Sequence, residues 1–156
     1  MLDYYARDLD TVEINNSFYR LPPSGTFEGW KKSTPPGFCF AVKASRYLTH
    51  QKKLLDAPPA LKRLLGAAVH LGSKLGPILF QLPPHWRCNL ERLSDFLRTL
   101  PPSHRYSLEC RNATWHTGEV VQGSRHVAVF VTFGIILLVA TVLISVSTSP
   151  WLQAIF

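Results

Sequence analysis

"DLDTVEINNSFYRLP", residues 8–22, sets a short apolar strand among polar residues that do not belong in a core. Side chains two apart on a strand share a face, so Val12 and Ile14 take one side while Thr11, Glu13 and Asn15 take the other. Such a strand is either exposed or built around a site, and the next three apolar runs bear on the choice. Residues 38–43 oppose Phe38, Phe40 and Val42 to Cys39, Ala41 and Lys43; residues 78–82 oppose Ile78, Phe80 and Leu82 to Leu79 and Gln81. Residues 106–111 oppose Tyr106, Leu108 and Cys110 to Ser107, Glu109 and Arg111. Each run is bounded by Pro, Gly or polar clusters, as strands are.

Between these strands, expected at residues 11–15, 38–43, 78–82 and 106–111, lie three segments that read as helices: 26–33, 60–75 and 90–100. In the second, Leu61, Leu64, Leu65, Ala68 and Leu71 recur at helical spacing, with Gly66 and Gly72 as interruptions. Strands alternating with helices imply βα units and a parallel sheet. The apolar faces then pack under the helices. The opposite faces bring Glu13, Asn15, Lys43, Gln81, Glu109 and Arg111 together near the carboxyl ends of their strands, where α/β folds place their sites. A plainer explanation stands beside this one: inside a barrel, buried charges need partners, and Glu13, Lys43, Glu109 and Arg111 would neutralise each other.

Length and charge bound the answer. A chain of 156 residues has room for one ordinary domain, but a complete eightfold β/α barrel needs about 250. The net charge of +7 belongs wholly to residues 1–125, because the last 31 residues carry no Lys, Arg, Asp or Glu. That excess favours polyanions or anionic surfaces as partners, although the basic residues are scattered as on an ordinary solvated surface. Cys39, Cys88 and Cys110 form an odd set without C-x-x-C spacing, which argues against a disulfide framework or zinc module and fits a reducing compartment. "MLDYYARDLD" has acids and tyrosines where a secretory signal needs a basic and then an apolar region, so export by such a signal is not expected.

The ordered motifs "TVEINNSFYRLP", Trp30 followed by "TPPGFCFAVKA", "LGPILFQLPP" and "RYSLECRNATW" resemble the YecE-like family, catalogued as domain of unknown function 72, over roughly residues 2–115. The resemblance implies a TIM-barrel-like α/β fold in which the four strands correspond to about strands two to five, so that residues 1–123 are a partial barrel segment. It implies no settled activity. Its motif residues fall here on Glu13, Asn15, Tyr19, Trp30, Lys43, Gln81, Pro83, Glu109, Arg111 and Trp115. They suggest a polar, anion-binding or hydrolytic cleft. Glu13 and Glu109 are the candidate catalytic residues, as general base or metal ligand; Asn15, Tyr19, Lys43, Gln81, Arg111 and Trp115 are candidate substrate-binding residues, with Lys43 and Arg111 suited to a phosphate.

From residue 124 the character changes to "SRHVAVFVTFGIILLVATVLISVSTSPWLQAIF". Residues 127–146 are uncharged, and fourteen of the twenty are Val, Ile, Leu or Phe. At about −0.3 to −0.6 kcal/mol each these favour insertion by on the order of −6 kcal/mol, and about 20 residues suffice to cross a bilayer. A C-terminal transmembrane helix over residues 127–146 is therefore expected, within a tail of residues 124–156. Arg111 and Arg125 on its N-terminal flank place the preceding portion on the cytoplasmic side of a single-pass protein. The alternative is a cytoplasmic chain in which "VAVFVTF" and "LLVATVLISV" are buried strands with Gly134 at a turn.

Three functions follow: a membrane-anchored barrel segment with no established catalysis; a phosphate-ester or nucleic-acid-processing hydrolase using Glu13, Lys43, Glu109 and Arg111; or a membrane-tethered module that binds an anion. The partners expected are an anionic ligand (phosphate or nucleic acid), the membrane through the C-terminal helix, and further copies of the chain through open sheet edges. No cofactor is specified and no metal set is predicted, since His85 and Cys88 in "HWRC" lack a second pair of ligands. A P-loop, a dinucleotide fingerprint and a nucleophile elbow are absent. Trp30, Trp86 and Trp115 could stack on a base or sugar, but packing is the commoner fate of such residues.

Overall fold

The structure is a computed structural model and describes residues 2–123 and 128–131. A first helix, α1 (Leu2–Asp8), leads into β1 (Thr11–Ile14), the short α2 (Asn16–Tyr19) and α3 (Ser24–Lys32). β2 (Cys39–Lys43) is followed by a π-helical turn (Tyr47–Gln51) and α4 (Ala57–Ala68). After β3 (Leu75–Gln81) come α5 (Leu90–Arg98), β4 (Tyr106–Cys110), α6 (Gly118–Gly123) and β5 (Ala128–Val131). The five strands form one sheet in the order β1-β2-β3-β4-β5, every neighbour parallel. That is the strand order of a β/α barrel.

The strands expected from alternation all occur, with ends shifted by one to three residues. The largest shift is at β3, which begins at Leu75. Its pairing with β2 slips there: Phe40 pairs with Leu75 and Val42 with Ile78, so three residues of β3 span two of β2. The extra residue falls at Gly76-Pro77. Proline has no N–H to give to a ladder and is tolerated at such a bulge. A Cβ at Gly76 would lie 2.6 Å from Cys39 Sγ and 2.9 Å from Phe40 O, so the close approach of β3 to β2 requires glycine.

The helix expected at 60–75 is shorter. α4 stops at Ala68, and the 3₁₀ stretch Val69–Lys74 is broken at Gly72 (φ 59°, ψ −131°), a left-handed conformation that ends the helix and turns the chain into β3. α5 agrees more closely with expectation. The Asn89 side chain caps it, accepting from Arg92 N at 2.8 Å, and Leu93 and Phe96 supply its buried face.

One face of the sheet meets the helices. Phe38, Phe40, Val42, Ile78, Phe80, Leu82, Leu108 and Cys110 join Phe27, Leu61, Leu64, Leu71, Leu93 and Phe96 in a single apolar cluster. The Phe80 and Phe96 rings meet edge to face at 4.9 Å. Each fully buried Leu, Ile or Phe contributes about 1.5–3 kcal/mol, so this side holds the fold together. The other face is buried too, but by different chemistry: Cys39, Ala41, Lys43, Leu79, Ser107 and Glu109 are buried without belonging to that cluster.

The expected transmembrane helix is overturned. Residues 128–131, inside the segment assigned to it, form β5, with Ser107, Leu108, Glu109 and Cys110 of β4 paired to Ala128, Val129, Phe130 and Val131. The physical reason lies in β4, whose outer row of backbone donors and acceptors requires a partner strand, and "AVFV" has the β-branched and aromatic composition that serves as one. Insertion energetics weigh apolar content but not this competing edge. Among the described residues no helix is long and apolar enough to cross a membrane. The single-pass arrangement and the membrane as a partner lose their basis with the helix, and residues 127 and 132–146 of the expected span lie outside the described residues.

Candidate functional site

Glu13 is the third residue of β1, Lys43 and Gln81 are the last of β2 and β3, Glu109 is the fourth of β4, and Arg111 follows that strand's end. Parallel register carries all five to one end of the sheet, with Gln81 directly paired to Glu109 and Glu13 to Ala41, two residues before Lys43. The side chains meet there. Lys43 Nζ lies 3.5 Å from Glu13 Oε1, both side chains nearly nine-tenths buried at 11% and 12% exposure. Gln81 Nε2 donates to Glu109 Oε2 at 2.8 Å, while Arg111 Nε stands 3.8 Å from Glu109 Oε1.

Glu13 is the anomaly of the group. Its Oε2 is buried without a hydrogen-bond partner, although nearly all such atoms in folded proteins have one. Burial pushes its carboxyl above the ordinary value of 4.5; the Lys43 ammonium and the Asn15 amide pull it down and the Glu109 charge pushes it further up. A carboxyl that resists ionisation and keeps one oxygen unclaimed can hold, give or take a proton.

Lys43 is held from two sides. Its ammonium sits 5.4 Å from the centre of the Phe18 ring, a cation–π arrangement. Its carbonyl accepts from Ser17 Oγ at 2.6 Å, and the same hydroxyl lies 3.0 Å from Ile14 O. Ser17, wholly buried at the start of α2, thereby pins the turn after β1 to the end of β2.

The cluster also contains a residue that strand alternation does not reach. The loop after β2 brings His50 against Phe18, rings edge to face at 5.1 Å. Burial lowers its imidazolium pKa below the ordinary 6.5, and the charges of Arg46, Arg111 and Lys43 lower it further. Ser17, Phe18, Arg46 and His50 all sit on connections that leave carboxyl ends of strands, the general address of β/α sites, and that address was the one sequence signal pointing to them.

Two expected substrate-binding residues make their contacts with aromatic rings. Tyr19 is 81% exposed and touches Phe18 edge to face at 5.0 Å. Trp115 is buried, its ring 5.1 Å from that of Trp86, and its indole N–H donates to Trp86 O at 2.8 Å. Trp30 packs edge to face on Phe27 at 5.2 Å. Asn15 is exposed at the mouth of the group, where its amide acts on Glu13. Among the described residues no three His, Cys, Asp or Glu side chains gather to hold a metal ion. An open depression of about 320 Å³ lies just beyond, lined by Asn16, Arg20, Leu21, Pro22 and Pro23; it adjoins β1's turn and does not include the charged group. Polar side chains converge at the charged group and not at this depression.

Known proteins share this arrangement of strands. A DUF72 family protein from Enterococcus faecalis V583 superposes with a TM-score of 0.70 at 21% identity, covering 83% of this chain and 57% of that one. Another, from Thermotoga maritima MSB8, gives 0.64 at 25% identity, covering 80% of this chain and 50% of that one. In sequence, UPF0759 protein YunF of Bacillus subtilis (strain 168) is 33% identical over 126 residues, covering 73% of this chain and 43% of the relative. UPF0759 protein YecE of Escherichia coli (strain K12) is 30% identical over 112 residues, covering 71% of this chain and 41% of the relative. The chain thus spans less than half the length of these curated relatives. The family model described as "Protein of unknown function DUF72" matches residues 1–140, β5 included, and the chain belongs to that family.

Proposed function

We propose that the strand-end group forms part of a cleft that binds a phosphate-bearing anion and hydrolyses its ester. In this reading Lys43 and Arg111 hold the phosphoryl oxygens, Asn15 and Gln81 orient the ligand, and Glu13 and Glu109 provide the acid–base pair. The observation that carries it is the buried Glu13 Oε2 without a partner, beside an ammonium at 3.5 Å. A merely neutralising ion pair inside a barrel would use both carboxylate oxygens, because an orphaned one costs about 1–3 kcal/mol. The site keeps that cost, as expected where a ligand supplies the missing partner.

The test is turnover of p-nitrophenyl phosphate and bis(p-nitrophenyl) phosphate by the full chain, with and without added magnesium or manganese. Hydrolysis that Glu109→Gln lowers by at least about a hundredfold supports the reading, within the usual reach of acid–base catalysis. Activity unchanged by that substitution refutes the assignment. A second reading, an anion-binding module without turnover, is favoured by the three cations Lys43, Arg46 and Arg111 that act on His50. It predicts binding of phosphate or nucleic acid that weakens steeply as salt rises; salt-insensitive binding would exclude it.

A further inference from the structure

The loop after β2 is built to hold His50 in one orientation. Its π-helical turn is closed by Lys52 N donating to Tyr47 O at 2.8 Å, and such turns recur at functional sites. Lys53, Leu54 and Asp56 follow with φ of 47°, 67° and 49°, left-handed conformations that non-glycine residues adopt only at a cost of about 1–2 kcal/mol each. Leu48 and Leu54, both buried, anchor the loop against that strain, with Leu54 N donating to Leu48 O at 2.9 Å.

Thr49 then determines how the imidazole is protonated. It is wholly buried, and its Oγ1 has two neighbours: Ser45 O at 3.1 Å and His50 Nδ1 at 2.9 Å. A carbonyl only accepts, so the contact with Ser45 O uses the single hydroxyl hydrogen. Thr49 Oγ1 must then accept from His50, which places a proton on Nδ1. The opposite tautomer would turn the hydroxyl toward Nδ1 and forfeit its bond to Ser45 O, which would keep only Thr49 N at 3.1 Å, so the Nδ1–H form is favoured by one hydrogen bond. With Nδ1 protonated, the lone pair of the neutral ring is on Nε2.

We propose that His50 is a further proton acceptor of this site beside the two carboxyl groups, acting through Nε2 in the tautomer that Thr49 favours, and that an anionic ligand enables it to act. The second half follows from the neighbours. The charged groups acting on the ring are Lys43 at the end of β2, Arg46 in the same loop and Arg111 after β4, all cationic, and with burial they oppose a protonated ring. A bound phosphate dianion offsets two of those three charges, so the ring takes up a proton more readily once the ligand is in place. Proton and ligand binding are then linked reciprocally.

The proposal rests on the phosphate-ester reading above. In the step, Nε2 takes a proton from a water molecule and the resulting hydroxide oxygen forms a bond to phosphorus. The ester P–O bond breaks, the departing alkoxide takes the proton that the Glu13 carboxyl holds and that solvent later replaces, and the imidazolium, still donating from Nδ1 to Thr49, returns its proton to water.

Long-range proton–nitrogen correlation spectra of the full chain test this directly, with His50 identified by the signals lost in His50→Gln. The expected result is the Nδ1–H tautomer, an imidazole pKa that rises on adding inorganic phosphate, and loss of the single tautomer in Thr49→Val with recovery in Thr49→Ser. An Nε2–H ring in the unsubstituted chain overturns the assignment of His50 as base, even where phosphate binds elsewhere in the cluster and the anion reading survives. An Nδ1–H ring indifferent to phosphate defeats the anion reading instead, and with it the ligand on which this proton transfer depends.

Discussion

Replacing Lys43 by methionine removes the ammonium while keeping most of the buried stem, so the variant isolates the charge. At the observed N···O separation of 3.5 Å the gross attraction to Glu13 is about 5 kcal/mol at an effective dielectric of 20. Breaking a wholly buried pair costs about 3–5 kcal/mol. Here both side chains keep a little exposure, the contact is longer than a charge-assisted hydrogen bond, and the variant also ends the desolvation of Lys43 itself. The net loss expected at pH 8 is about 2–3 kcal/mol, taken from those bounds.

The loss must depend on pH, because it is the ionised Glu13 that Lys43 stabilises. Burial already raises the Glu13 pKa above 4.5, so the stability tied to its protonated form is complete below that value and is lost as pH rises through the folded-state pKa. Without Lys43 the carboxyl is raised further, and the cost of ionising it grows on the alkaline side. At pH 4 Glu13 is protonated with or without Lys43. The ammonium then has no ionised partner at Glu13, and Lys43→Met is expected to be neutral or slightly stabilising. Urea unfolding followed by circular dichroism, at pH 4 and pH 8, on Glu13→Gln, Lys43→Met and the double variant measures both the pH dependence and the coupling. An equal loss at both pH values, or a coupling under about 0.5 kcal/mol at pH 8, would refute this account of the pair.

Ser17→Ala should cost about 1–2 kcal/mol in the same urea assay, since it leaves the Lys43 carbonyl without its 2.6 Å donor; no change would mean that α2 holds its place without that bond. Trp115→Phe should lower stability by about 1–3 kcal/mol through the lost bond to Trp86 O, with phosphate affinity unchanged. Weakened phosphate binding at unchanged stability would instead return Trp115 to the ligand site.

The four strands through Cys110 and the polar face they share were legible in the sequence because a period of two is a local property: each strand sorts Glu13, Lys43, Gln81 and Glu109 from its own apolar residues, whatever surrounds it. Four ordered motifs likewise carried the family. What neighbours make of each other was not local. Gln81 bonds Glu109, and Glu13 faces Lys43, only because the parallel register sets one strand end beside the next. His50 was not legible because its loop has no periodicity, and a histidine beside Thr49 carries no mark of what will pack on it. Trp115 shows the same limit: packing was the commoner fate expected of a motif tryptophan, but its partner, Trp86, was set by folding.

The apolar stretch from residue 127 shows the limit most plainly. Composition alone determined that it is apolar, since fourteen of its first twenty residues are Val, Ile, Leu or Phe. How Ala128–Val131 meets its backbone needs was decided by the tertiary structure: β4 offers an open row of backbone hydrogen bonds, which satisfies the N–H and C=O groups that a β-branched segment turns toward it, where in lipid a helix would be needed.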